Sequence, residues 1–198
     1  MRLAAGAGCA LLATACQDAT GTGSGLAPLV LGSVGSGWAI PEKGPNGALT
    51  LDQAAAATPA DPTAVRHRLD TGRFSGAFER VWRSGDQFVS ILVYSFADAG
   101  SAASFATFEL RSIAATGTAV MYTAGRGPGE KVFTFAGATR AAVGTTQFCE
   151  GAWYAVETSA VEVTHCGASR PGYPNQVIDL ANQELDLITG INAGSATP

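Results

Sequence analysis

Strand-like runs interrupted by helical periodicity in two places predict an α+β domain, a mainly antiparallel sheet with two principal helices packed on it. Three observations carry this prediction. Phe74, Gly76, Phe78, Arg80 and Trp82 alternate with Ala77 and Val81, as on a half-buried strand. After the turn signal Ser84-Gly85-Asp86, residues 88–96 (FVSILVYSF) are apolar almost throughout, as in a strand buried on both faces. Ala102, Phe105, Phe108 or Glu109, and Ile113 then recur at helical spacing, as do Val177, Ile178, Ala181, Leu185, Ile188 and Ile191 near the other end.

Taken in order, 29–31 (LVL) reads as a short strand or extended segment, followed by a loop rich in Gly and Pro that carries Trp38. Residues 49–57 suggest a helical turn or two capped by Thr50 and ended by Pro59 and Pro62. Strands at 74–82 and 88–96 lead to a helix capped by Asp98 and running to about Ile113. Beyond a Gly-rich break, 120–123, 132–135 and 141–148 read as strands, with 126–129 a loop between the first two. Residues 153–157 and 161–166 add two more, and Pro174 opens the terminal helix. Both halves end in strands followed by a helix, an echo of order that suggests two repeated strand-strand-helix halves.

The first residues have the layout of an export signal: Arg2, an apolar centre from Leu3 to Leu12, then Ala13, Thr14 and Ala15 before Cys16. The centre is far short of the roughly 20 apolar residues that span a bilayer. Ala13-Thr14-Ala15-Cys16 resembles the lipobox of bacterial lipoproteins, with Ala at the position where Leu is most frequent. The resemblance implies removal of 1–15, diacylglyceryl modification of Cys16, and anchoring to the outer face of the plasma membrane by two or more acyl chains. An unlipidated secreted protein cut near Ala15 is the alternative. Residues 16–25 then form the lipidated start and a flexible tether, 26–191 one domain, and 192–198 a polar tail.

The body resembles actinobacterial envelope lipoproteins and the extracellular sensor domains of mycobacterial receptor kinases. The resemblance rests on the final strands bearing Cys149 and Cys166 and on a closing helix that begins Tyr173-Pro174-Asn175-Gln176 and contains Ala181. It implies an extracytoplasmic domain that binds a ligand or partner without catalysing a reaction.

Of the four cysteines, Cys9 leaves with the signal and Cys16 takes the lipid, so Cys149 and Cys166 remain as an even pair in an oxidising compartment. Their spacing is not that of a redox centre, which favours a structural bridge. Bridged Cα atoms lie within about 7 Å, so the strand from Trp153 is not expected to lie between them.

The composition, 46% apolar and 14% charged, excludes disorder, and scattered arginines with a net charge of −4 give no basic face for nucleic acid. His67 and His165 form no zinc motif, and His165, alternating with Val163, is expected to face inward. The glycine runs 32–37 and 125–129 lack the features of phosphate loops, and neither a nucleophile elbow nor a Ser-x-x-Lys motif occurs. No catalytic residue, metal or cofactor is assigned. Trp82 and Trp153 read as core; Trp38 is the candidate for ligand or partner contact. The function expected is that of a lipid-anchored binding lipoprotein, with an accessory subunit of an envelope complex or a cell-wall-acting enzyme as alternatives.

Overall fold

The structure, a computed structural model, describes residues 24–58, 60–115, 119–123, 131–137, 147–167 and 175–195. It opens with a short 3₁₀ helix, Ser24–Leu29, followed in order by β1 (Gly47–Leu49), α1 (Leu51–Ala56), α2 (Pro62–Thr71), β2 (Phe74–Ser84), β3 (Gln87–Phe96) and α3 (Ala99–Ala115). The second half holds β4 (Ala119–Thr123), β5 (Lys131–Gly137), β6 (Gln147–Val156), β7 (Ser159–Gly167) and α4 (Asn175–Ser195). The strands form one seven-stranded sheet in the order β1-β2-β3-β7-β6-β5-β4, and every pairing is antiparallel. The α+β class with two long helices is as the sequence predicts.

The sheet has two covered faces. On the front face Phe78, Trp82, Val89, Ile91, Val93, Val161, Val163 and Tyr154 pack against Leu26 and Val30 of the N-terminal segment and against Val177, Leu180, Ala181 and Ile188 of α4. On the back face Ala77, Leu92, Tyr94, Phe96, Ala160 and Trp153 meet α1 and α2 through Ala54, Ala55, Val65 and Leu69, and α3 through Ala102, Phe105, Ala106 and Ile113. Being central and covered on both sides, β3 and β7 are buried nearly end to end, which is why 88–96 carries no polar alternation.

The helix pair α3 and α4 therefore lies on opposite faces of the sheet. A two-fold axis relating the adjacent antiparallel strands β3 and β7 stands perpendicular to the sheet and would leave both helices on one face. The two halves echo each other in order of elements and not in placement.

Local chemistry explains where the elements begin. The Thr50 side chain accepts from the Gln53 backbone amide while the Gln53 side-chain oxygen accepts from the Thr50 backbone amide, a capping box that starts α1 as expected. Asp98 accepts from the Ser101 amide at 2.8 Å and starts α3. The turn between β2 and β3 is Gly85-Asp86, with Gly85 at φ 60°, where a side chain would be strained.

Four local readings change. Residues 29–31 are not a strand: Leu29 ends the 3₁₀ helix, and Val30 is buried by docking rather than by pairing. Pro62 does not simply end a helix but occupies the first turn of α2, where its missing N–H costs nothing, behind Asp61, which accepts from the Ala64 amide. Leu49, read with the helical stretch 49–57, instead ends β1, which pairs with β2 and leads through Thr50 into α1. The expected strand from Trp153 is the same strand that carries Cys149: β6 runs unbroken from Gln147 to Val156. Residues 126–129 and 141–146, and Pro174, lie outside the described residues.

Candidate functional site

Cys149 and Cys166 are register partners on β6 and β7, 4.1 Å apart at Cα, and are joined by a disulfide. Both are buried and pack with Val81 and Phe88 on the back face. The strand from Trp153 does not separate them because it continues β6 away from the bridge. The bridge is a structural staple with no exposed sulfur.

Among the described residues, a groove of a size to take a small ligand lies on the back face at the β1 edge. It has a volume of about 490 Å³ and is lined by residues 44–49, by Gln53 and Ala56 of α1 with Ala57 at its C-terminal cap, and by Glu79 of β2, a size within the usual range for ligand sites. Gly47 stands directly across from Glu79, and a side chain added there would meet nothing within 4 Å, so the groove stays open beside the carboxylate. Glu79 is itself buried and accepts from the Ser90 hydroxyl at 2.8 Å. The Asn46 side-chain oxygen accepts from the Val81 amide, and that of Gln53 accepts from the Thr50 amide. With those oxygens committed, the amide nitrogens are the groups Asn46 and Gln53 have to offer a ligand, opposite the acceptor Glu79. Small walls at Ala48, Ala56 and Ala57 complete a site for a compact molecule with both donors and acceptors.

Glu79 belongs to a polar patch that hydropathy alone conceals. Glu79, Ser90, Glu162 and Thr164 occupy neighbouring back-face positions on β2, β3 and β7, and all four are buried. The Thr164 hydroxyl donates to Glu162 at 2.9 Å. A smaller notch of about 280 Å³ at the start of α3 is lined by Arg68, Thr71, Asp98 and Ser101. There Asp98 is already bonded to the Ser101 amide and hydroxyl, which holds its carboxyl below the usual range, so the notch is a capped helix end.

Trp38, the residue singled out for contact, is half-buried against the front core with its ring edge-on to His165, centroids 5.7 Å apart. Ala39 holds this loop to β2 through reciprocal backbone bonds with Arg83. His165 does face inward: it is 4% exposed, its Nε2 lies 3.2 Å from Gln87 Oε1, and burial lowers its pKa. Trp82 and Trp153 are core, as expected. Trp38 and the groove at β1 are on different faces of the sheet. Cys16 lies outside the described residues.

Sequence reasoning missed Glu184, at which the front face becomes electrostatically unusual. This α4 carboxylate is fully buried, and its Oε2 accepts from the Leu31 amide at 3.0 Å. Desolvation raises its pKa to about 7, against the opposing pull of the Leu31 amide and Arg80. Nearby Tyr154 donates to the Ala181 carbonyl at 3.2 Å, and burial, reinforced by Glu184, lifts its phenol well above the ordinary range. One signal was available: position 184 falls on the inner stripe of α4, three residues past Ala181 and four before Ile188.

Among the described residues no group of three or more His, Cys, Asp or Glu side chains is arranged to hold a metal ion, and no helix is long and apolar enough to cross a membrane. No protein-family model matches the chain, and no curated protein matches it. The structure is similar to the crystal structure of the extracellular domain of PknH from Mycobacterium tuberculosis, with a TM-score of 0.50 and 14% sequence identity over 82% of this chain and 93% of that one. At that identity the likeness shows a shared fold. It agrees with the resemblance to kinase sensor domains read from the closing strands and helix.

Proposed function

We propose that the chain is an extracytoplasmic lipoprotein, anchored through Cys16, whose domain binds a small envelope ligand in the groove at β1 without catalysing a reaction. The observation that carries this reading is the buried Cys149–Cys166 disulfide, since such bridges form and persist in oxidising compartments. A fold shared with a receptor's extracellular domain supports the same placement. The lipobox-like sequence ending in Cys16 supports the anchor. The groove supports binding because its polar groups are already fixed by hydrogen bonds to the backbone and to Ser90, so ordering them costs a ligand little.

The anchor and the groove are tested separately. Fractionation of cells producing the natural chain should place it with membranes, and Cys16→Ala should leave it there as an uncut precursor or release it to the medium without acyl label. Acyl labelling that survives Cys16→Ala contradicts the anchor. For the groove, Ala57→Trp fills the space beside α1. Envelope metabolites that co-purify with the natural domain, read by native mass spectrometry, should be lost from this variant while the thermal transition is kept. Equal retention of the metabolite moves the binding site elsewhere.

A further inference from the structure

The N-terminal segment 24–38 crosses the front face without belonging to the sheet, and two ionisable side chains of the body clasp its backbone. Arg80 of β2 donates to the carbonyls of Val30 at 2.8 Å and Leu31 at 2.6 Å. From the opposite side Glu184 of α4 accepts the Leu31 amide, a bond spanning 153 residues of sequence. Glu184 Oε1 is buried without a hydrogen-bond partner among the described residues. Leu26 and Val30 plug the apolar surface between these clamps. The segment itself has no charged side chain, so its hold on the body depends on two ionisable groups that it covers.

We propose that residues 24–38 are a proton-controlled strap, held to α4 and β2 when Glu184 is protonated and loosened from the front face as the solution passes from mildly acidic to neutral and alkaline. Lifting the strap exposes Glu184 to water. The docked form keeps its proton up to about pH 7, whereas a solvated carboxyl has an ordinary pKa of 4.5. Between those values, release of the strap sends one proton to solvent, so a higher pH favours release. The other titratable or charged groups on this face are Arg80, Tyr154, His165 and Glu150, a buried carboxylate of β6 whose register partner is His165. Arg80 stays charged throughout, and the Tyr154 phenol, lifted above its ordinary range, stays protonated. His165, under Trp38 at the far end of the strap, has a lowered pKa, so its protonation in acid acts in the opposite direction. The remaining front-face positions of β3 and β7 beneath the strap and α4 are Val89, Ile91, Val93, Val161 and Val163. This inference is independent of what the groove binds.

Backbone hydrogen exchange of the whole chain, followed by mass spectrometry from pH 4.5 to 8 and corrected for intrinsic rates, reads the strap directly. Peptides covering 26–38 should lose protection by about tenfold per pH unit between about 5 and 7 and then level off. The β2–β3 hairpin should hold its protection over the same range. In Glu184→Gln the fall should vanish, and any dependence left should run the other way, from His165. Arg80→Gln removes a charge that stabilises the ionised carboxylate, so it should weaken the strap and move the transition to higher pH. Constant protection of 26–38, an unchanged fall in Glu184→Gln, or parallel loss across the hairpin would each overturn the proposal. The pH series on the natural chain decides even where a variant does not fold.

Discussion

On the back of the sheet, the rings of Tyr94, Phe105 and Trp153 lie 4.9 to 5.9 Å from one another, with Phe96 beside Phe105 at 5.3 Å. Three helices close over this cluster, and Arg68 of α2 stacks on Phe108 of α3. On the front, one helix covers β6 and β7, and the span over β2 and β3 is left to the strap, whose backbone is held by Arg80 and Glu184. Where interlocking side chains supply area, no ionised group is needed to hold the cover. Where the cover is a short irregular segment, hydrogen bonds to ionisable groups replace the missing area and bring a titration with them. The back face should therefore set the stability of the domain, and the front face its response to conditions.

The largest effect should come from opening the aromatic cluster. Phe105→Ala should cost about 3–5 kcal/mol, the range for a fully buried aromatic ring, and should lower the urea midpoint at every pH. Val30→Ala, which trims the strap, should cost less than half as much; equal losses would erase the distinction between the faces. Replacing both cysteines, as Cys149→Ala with Cys166→Ala, should cost about 3 kcal/mol for a sequence separation of 17. Equilibrium unfolding with and without reductant measures the same quantity, and reductant should leave the double variant unchanged. A smaller pair of changes compares the faces directly. Tyr94 donates to Ala54 of α1 and Tyr154 to Ala181 of α4, so Tyr94→Phe and Tyr154→Phe should each cost about 1 kcal/mol. Only Tyr154→Phe, beside Glu184, should also change the pH dependence of unfolding. The smallest effect belongs to the exposed ion pair between Arg66 and Asp52. Arg66→Ala should alter stability by less than about 0.5 kcal/mol, as high salt would.

The back face was largely legible in the sequence because local periodicity records burial. The apolar run of β3, the Thr50 and Asp98 caps and the inner stripe of α3 all follow from side-chain spacing within one element. The front face was less legible because its determinants are distant in sequence. Nothing near 29–31 announces that Arg80 and Glu184 will take their backbone groups, so an apolar triplet reads as a strand. Pro62 misled for the related reason that proline is equally at home just after one helix and at the start of the next. The groove at β1 was invisible for a third reason. Its polar groups, Asn46, Gln53 and Glu79, come from three elements that the sheet register brings together, and Glu79 lies on a strand where any carboxylate reads as solvent-facing.

The central claim, an extracytoplasmic binding domain tethered by lipid, is tested most directly by the intact mass of the chain extracted in mild detergent from its own membranes without reductant. The account predicts a chain starting at Cys16 with covalently added acyl mass. It also predicts a deficit of two hydrogens for the Cys149–Cys166 bridge and, under native conditions, a further noncovalent mass that leaves on unfolding. An unacylated chain recovered from the medium would contradict the anchor, and free thiols at Cys149 and Cys166 would contradict the placement outside the cytoplasm.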